Sequence, residues 1–280
     1  VSDREPLNNL VVISDIHVGC RVGLMPSEGY VPDDGGRVMP SDLQLKLWSM
    51  WREFWDDFVP AATRGEPYAV CFNGDAIDGS HHGSVTQWTH NLEDQRRCAE
   101  SILAPIVDNA ARYYHIRGTE AHVGSSSQDE EALARNLGAI PNDAGQYARF
   151  DLWIMVGKYL GHLLHHIGTT GSQAYEATAV HKELTESFGE AARWGERPPD
   201  FIIRSHRHRY IKTEIPTERG HAFAAVTPSW QGKTPFVWKI PGGRLSTPQF
   251  GGLVVRQSDT DGELFLRPKV WTLKRSRVES

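Results

Sequence analysis

Asp15 and His17 stand two residues apart, His165 and His166 are adjacent, and His206 and His208 again stand two apart. Asp75 and Asp78 come shortly after Asn73-Gly74, and Glu120 and His122 shortly after Gly118. Carboxylates and imidazoles are the donors that hard and borderline divalent ions take, provided they converge from several directions. A pair at i, i+2 beside the frayed end of a strand can turn both side chains to one ion. Asp75 follows a glycine that permits close backbone approach, and a carboxylate there can bridge two ions. Three or four donors per ion and two ions make a binuclear site. Such a site clamps an in-line displacement at phosphorus and generates a hydroxide at neutral pH. It needs no side-chain nucleophile, and the chain carries no Gx[ST]xG elbow, CxxC pair or P-loop to compete with it.

The donors must be delivered by structure, and the sequence shows how. Short apolar runs at 10–14, 68–72, 113–116 and 201–204 read as buried strands. Residues 149–167 read as a hairpin turning at Gly157-Lys158, and 221–226, 252–256 and 264–273 as further strands. Helices are expected at 42–59 with Ser41-Asp42 as its N-terminal signal, at 92–111 with Pro105 as a kink or break, from a Ser127 cap to 137, and at 174–194. Trp48, Trp51 and Trp55 fall on the buried face of the first helix, whereas Trp88 and Trp230 lie in loops and could border a cleft. Five strands end in Asp, His, Asn or Glu, and ligands of open α/β sheets collect beyond strand carboxyl ends.

With 39% hydrophobic and 23% charged residues the composition is that of a globular protein, which excludes disorder and fibrous repeats. No linker interrupts residues 1–280, so one domain is expected. The net charge of −5 encodes no broad attraction to nucleic acid or to an anionic membrane. Three cysteines at irregular spacings give no disulfide framework, which points to a reducing compartment. The apolar runs are too short to cross a membrane and VSDREPLNN has no signal-peptide character, so a soluble, cytoplasmic protein is expected.

In order along the chain, Asp15-Ile-His17, Gly74-Asp75-Ala-Ile-Asp78, Gly118-Thr-Glu-Ala-His122, His165-His166 and His206-Arg-His208 resemble the motifs of the calcineurin-like metallophosphoesterase superfamily. The resemblance spans about residues 10–210. It implies an α/β fold in four α-β-β-α layers, two mixed sheets flanked by helices, with residues 211–280 completing the second sheet. It also implies two metal ions, of manganese, iron or zinc. Asp15, His17 and His208 would hold the first ion and Asp75 would bridge. His206 and one of His165 or His166 would hold the second. His165, the first histidine after the strand, is preferred, with His166 behind it or facing substrate.

The third block departs from the superfamily pattern: it has no Asn, and its histidine comes later. Thr119 or Glu120 would replace the missing ligand. The GTEAH variant is similar to that of phosphoesterases of phages and prophages. His122 is the candidate to protonate the leaving oxygen or stabilise developing charge, and Asp78 to hold a ligand imidazole or cap its loop. His81, His82 and His90 could line the cleft, and Arg117 and Arg207 could hold a phosphate oxygen, although surface roles are the commoner ones for all five. The function implied is hydrolysis of a phosphomonoester or phosphodiester by a metal-bridging hydroxide, with a small-molecule substrate preferred. A phage nuclease acting on DNA or RNA, and a metal-containing binding module without catalysis, are the alternatives.

Overall fold

The computed structural model describes residues 4–273 apart from 82, 125, 169–172 and 241–242. β1 (Asn9–Ile13) is apolar at successive positions because both of its faces are covered. Val11 and Ile13 enter one apolar layer, and Leu10 and Val12 enter another. β2 (Ala69–Asn73) repeats the pattern, with Val70 and Phe72 on one side and Ala69 and Cys71 on the other. β3 (Arg112–Ile116) and the short β4 (Ala148–Arg149) continue the sheet in parallel.

The second sheet starts with the hairpin β5 (Asp151–Val156) and β6 (Tyr159–Leu164), then adds β7 (Phe201–Arg204), β8 (Ile211–Thr217) and β9 (Gly220–Val226) in the order β5-β6-β7-β9-β8. β8 is an antiparallel edge strand with alternating half-exposed residues and a proline at 216, features that hide a strand from a reading based on apolar runs. β10 (Gln249–Gln257) and β11 (Leu264–Thr272) join the first sheet, giving the order β11-β10-β1-β2-β3-β4. The segment beyond residue 210 therefore serves both sheets and does not complete the second alone. The reason is that β1 needs an apolar partner on its open edge, and β10 supplies Leu253, Val254 and Val255, all fully buried.

Helices cover the outer faces. α1 (Asp42–Glu53) is started by a capping box in which the Ser41 hydroxyl accepts from Gln44 N–H and the Gln44 side chain accepts from Ser41 N–H. It runs through a π-helical turn, Phe54–Phe58, into α2 (Val59–Thr63), so the helical stretch outlasts the expected end at 59. Pro60, which has no N–H to donate back into the preceding turn, sits where the wide turn closes. α3 (Leu92–Asp108) ends three residues before the expected 111. A single turn, α4 (Glu120–Val123), precedes α5 (Gln128–Asn136). Ser127 does not cap α5 with its hydroxyl, because its backbone is left-handed at φ 49°. α6 (Glu176–Trp194) covers the other sheet, where Val180 and Leu184 meet Ile202, Ala222, Ala224 and Val226.

Three apolar layers thus separate four layers of structure: two mixed sheets flanked by helices. Trp51 packs edge-on against Trp230, which is fully buried beside Phe54 and Trp271, so Trp230 is core and borders no cleft. The three cysteines are free and buried. Among the described residues no helix is long and apolar enough to cross a membrane.

The layer between the sheets is the most sensitive to loss of volume. Phe201 fills it, stacked on Phe223 with ring centroids 5.7 Å apart and pressed onto Gly161, where a Cβ would lie 2.0 Å from its ring. Phe201→Ala is expected to cost about 3–5 kcal/mol in chemical denaturation with an unchanged m-value, whereas Phe265→Ala, on the half-exposed edge, should cost well under half as much.

Candidate metal centre

Beyond β1 and β2 the chain continues as two loops side by side. Asp15 N–H donates to Gly74 O at 2.9 Å, His17 N–H to Asp75 O at 3.2 Å and Val18 N–H to Ala76 O at 3.0 Å. Parallel pairing is thus prolonged past the sheet, and it holds Asp15 and His17 beside Asp75. The backbone there is strained. Seven non-glycine residues among those described have left-handed φ, and Asp15, His17, Asp75, His206 and His208 are five of them. Asp and His tolerate that region better than most residues, at about 1–3 kcal/mol each. Gly74, at φ +87°, lies so close to its neighbours that a Cβ would meet His165 Nδ1 at 2.4 Å and Gly118 Cα at 2.8 Å.

The side chains form two groups that share a border. In the first, His208 Nε2 lies 3.2 Å from Asp15 Oδ1 and 3.2 Å from His17 Nε2. In the second, His165 Nε2 is 3.1 Å from Asp75 Oδ2. The Thr119 hydroxyl stands 3.2 Å from Asp75 Oδ2, 3.2 Å from His165 Nε2 and 3.0 Å from His206 Nδ1. Asp75 Oδ2 is also 3.9 Å from His17 Nε2, so this one carboxylate faces both groups. Donor atoms lie within 4.8 Å of one another in Asp15/His17/His208, in Asp15/Asp75/His165 and in His165/His166/His206.

These donors fit a cation better than they fit one another. Asp15 Oδ1 is buried without a hydrogen bond, although His208 Nε2 is close by. The Nε2 atoms of His17 and His208 confront each other at 3.2 Å, an arrangement satisfied by a proton on one of the rings or by a cation that both rings face. Burial alone would raise the carboxyl of Asp15, but the neighbouring His208 and His17 hold it well below its ordinary range. Burial alone would likewise lower His17; the Asp15 and Asp78 carboxylates beside it push it up to about 10. His165, opposed in the same way by burial and raised by Asp75, reaches about 9.

Of the residues singled out by sequence, Asp15, His17, Asp75, His165, His206 and His208 come together. His166, exposed like His206, joins them at the rim, with a donor atom within 4.8 Å of those of His165 and His206 and its ring centroid 5.1 and 5.5 Å from theirs. Of the two candidates in the third block, Glu120 is the exposed first residue of α4 and lies in none of these donor groups, while the Thr119 hydroxyl stands among the second. Asp78 Oδ1 is 3.3 Å from His17 Nδ1, and its carboxylate accepts from Gln87 and Gln231 at 2.6 and 3.1 Å, a place suited to orienting that imidazole; donor atoms of His17, Asp78 and His122 also lie within 4.8 Å of one another. The Nδ1–H of His122 donates to Asp78 O at 2.8 Å, which leaves Nε2 toward Asp75 at 4.0 Å. Burial and the nearby His17 lower His122 from its ordinary value.

The margin holds His81, 3.7 Å from Asp78 and with its ring 4.6 Å from that of His122. His90 is exposed, and His82 lies outside the described residues. Arg117 donates to Ala148 O, and Arg207 to the backbone oxygens of Gly168 and Glu176. Both arginines are therefore occupied structurally. The sequence reading missed the buried supports. Gln87 and Gln231 fix Asp78, and a chain from Ser14 through Thr227 and Ser205 to Asn73 ties the ends of the two sheets together. Isolated glutamines and hydroxyls leave no pattern by which these roles are readable.

No family model and no curated protein matches the chain. Among solved structures it is similar to Vps29 of Chaetomium thermophilum, at 14% identity over 95% of this chain and 96% of that one with a TM-score of 0.37. It is similar to a metallophosphoesterase of Sphaerobacter thermophilus at 10% identity, 95% and 88% coverage and a TM-score of 0.37. It is also similar to a 5'-nucleotidase of Candida albicans at 11% identity and a TM-score of 0.34, over 93% of this chain and 54% of that one.

Because His17 and His165 carry protons at pH 7 in the metal-free protein, a cation must displace them. Loading with Mn²⁺ or Zn²⁺ is expected to release protons, and affinity is expected to rise from pH 6 to pH 9. Titration calorimetry in buffers of different ionisation enthalpy measures the release; binding without it would contradict the assigned donors.

Proposed function

We propose that the protein is a binuclear metal-dependent phosphoesterase acting on a small phosphomonoester or phosphodiester. The observation that carries this reading is the position of Asp75, one buried carboxylate oxygen that faces His17 on one side and His165 and Thr119 on the other. Asp15, His17 and His208 would hold one cation, His165, His206 and Thr119 the second, and Asp75 would be common to both. When bound, such a pair supplies Lewis acidity toward a phosphoryl oxygen and makes water nucleophilic near neutral pH. The likeness to a metallophosphoesterase and a nucleotidase agrees with this reading without carrying it.

The chain's own groups do the rest. The buried strand ends and the left-handed backbone fix the donors before substrate arrives. Asp78, clamped by Gln87 and Gln231, keeps the His17 ring turned so that Nε2 faces inward. His122 has its Nδ1–H committed to Asp78 O, so a proton gained by this ring sits on Nε2, on the side of the centre. From there it can be delivered to the leaving oxygen. Since the ring is readily deprotonated, activity that depends on this proton should fall as pH rises. Arg117 and Arg207 are bound to backbone oxygens, which favours a compact ester over a long polyanion.

Chromogenic mono- and diesters with added Mn²⁺ test the proposal. Turnover is expected, and Asp75→Asn or His208→Ala should reduce it about a hundredfold or more. His122→Ala should slow alkyl esters by about 10²–10⁴ and nitrophenyl esters, whose leaving groups need no proton, far less. Full metal occupancy without turnover on any ester would overturn catalysis and leave a metal-containing binding module. Salt-sensitive cleavage of single-stranded DNA, in preference to small esters, would replace the substrate class with nucleic acid.

A further inference from the structure

Glu130, in α5, is a fully buried carboxylate that lies in no donor group of the centre. Its Oε1 accepts the N–H of Ala76 at 3.0 Å, and its Oε2 accepts the N–H of Gly118 at 2.6 Å. Ala76 directly follows Asp75, and Gly118 directly precedes Thr119. The two loops it joins leave no slack: Thr119 N–H donates to Asp75 Oδ1 at 2.6 Å, and a Cβ on Gly118 would stand 2.1 Å from that same oxygen. A shift of one loop against the other would therefore move the Asp75 carboxylate itself.

Behind Glu130 stands His115, fully buried and stacked on Phe72, with Nε2 3.7 Å from Glu130 Oε1. The Tyr113 hydroxyl meets its Nδ1 at 2.7 Å. If the hydroxyl donates there, the ring proton sits on Nε2 and faces the carboxylate; the opposite tautomer would set a lone pair against it.

We propose that Glu130 is a positioning residue of the metal centre, setting the Asp75 loop against the Thr119 loop and so placing the carboxylate that faces both donor groups. The inference rests on the reading of that centre as a binuclear metal site. A carboxylate offers two acceptors and no donor, which is what two converging N–H groups require. A glutamine of the same shape would turn an NH₂ toward one of them.

The neighbouring residue supplies a control of the same chemistry. Glu131 accepts the N–H groups of Tyr147 and Ala148 at 3.0 and 2.8 Å, and so anchors β4, which carries no donor. Wild-type protein, Glu130→Gln and Glu131→Gln are loaded with Co²⁺, and the visible absorption, the stoichiometry and affinity by calorimetry, and stability in urea are read. Glu130→Gln is expected to lose about 10–100-fold in Co²⁺ affinity and to change the absorption bands. Glu131→Gln should lose stability while keeping the wild-type spectrum and affinity. Wild-type spectrum and affinity in Glu130→Gln, or an equal loss in both variants, would overturn the inference. If the wild type itself binds no ion, the reading of the centre fails instead. Should Glu130→Gln not fold, Glu130→Asp is read in the same way, since it keeps the charge and shortens the reach. Should that fail too, hydrogen exchange in the wild type decides: Ala76 and Gly118 amides must both be protected, more so with Co²⁺, and rapid exchange of either overturns the inference.

Discussion

Two ionised carboxylates, Asp15 and Asp75, lie close together without access to water, and everything around them answers that constraint. Buried charges of one sign are tolerated only where opposite charge and hydrogen bonds surround them. Histidines supply that charge from both sheets, His17 from the end of β1 and His165 from the end of β6, and the loop after β7 brings the rings of His206 and His208 against them. Backbone amides add the rest, as in Thr119 N–H on Asp75. The site is thus a seam between two sheets, held by the attraction of groups that each sheet alone could not bury.

The scaffold follows from this need for convergence. Parallel strands bring their carboxyl ends to one edge, and both central sheets are parallel where the donors leave them. The loops then depart from regular geometry. Left-handed residues appear where a ring or carboxylate must turn inward within four residues of a strand end. Support from below is polar and hydroxylic, through Ser14, Thr227, Ser205 and Asn73, and support from the side comes from Asp78 and its two glutamines. Within the donor groups, Thr119 stands out as a neutral hydroxyl among charged and aromatic donors.

Much of this was readable from spacing and residue type. The apolar runs before Asp15, Asp75 and His206 announced strands, and the donors directly after them announced a site at strand ends. What escaped notice had physical reasons. β8 alternates and carries a proline, so no apolar run marks it. β10 lies far along the chain, and only the open edge of β1 draws it into the first sheet. Glu120 has the better donor chemistry, but Thr119 has the better place, because its own N–H is already hydrogen-bonded to Asp75. A loop glutamine such as Gln87 becomes meaningful only when distant segments meet.

The placement of β10 also has a consequence for the order in which the molecule can be made. Asp15 O accepts the N–H of Trp230, and β1 gains its second neighbour only from residues near 250. A chain leaving the ribosome at about 5–20 residues per second therefore exposes the open edge of β1 for many seconds. During that interval the earliest donors have emerged while the strand that will fix them has yet to be synthesised. Assembly of the centre consequently waits on a segment made more than two hundred residues after its first donor.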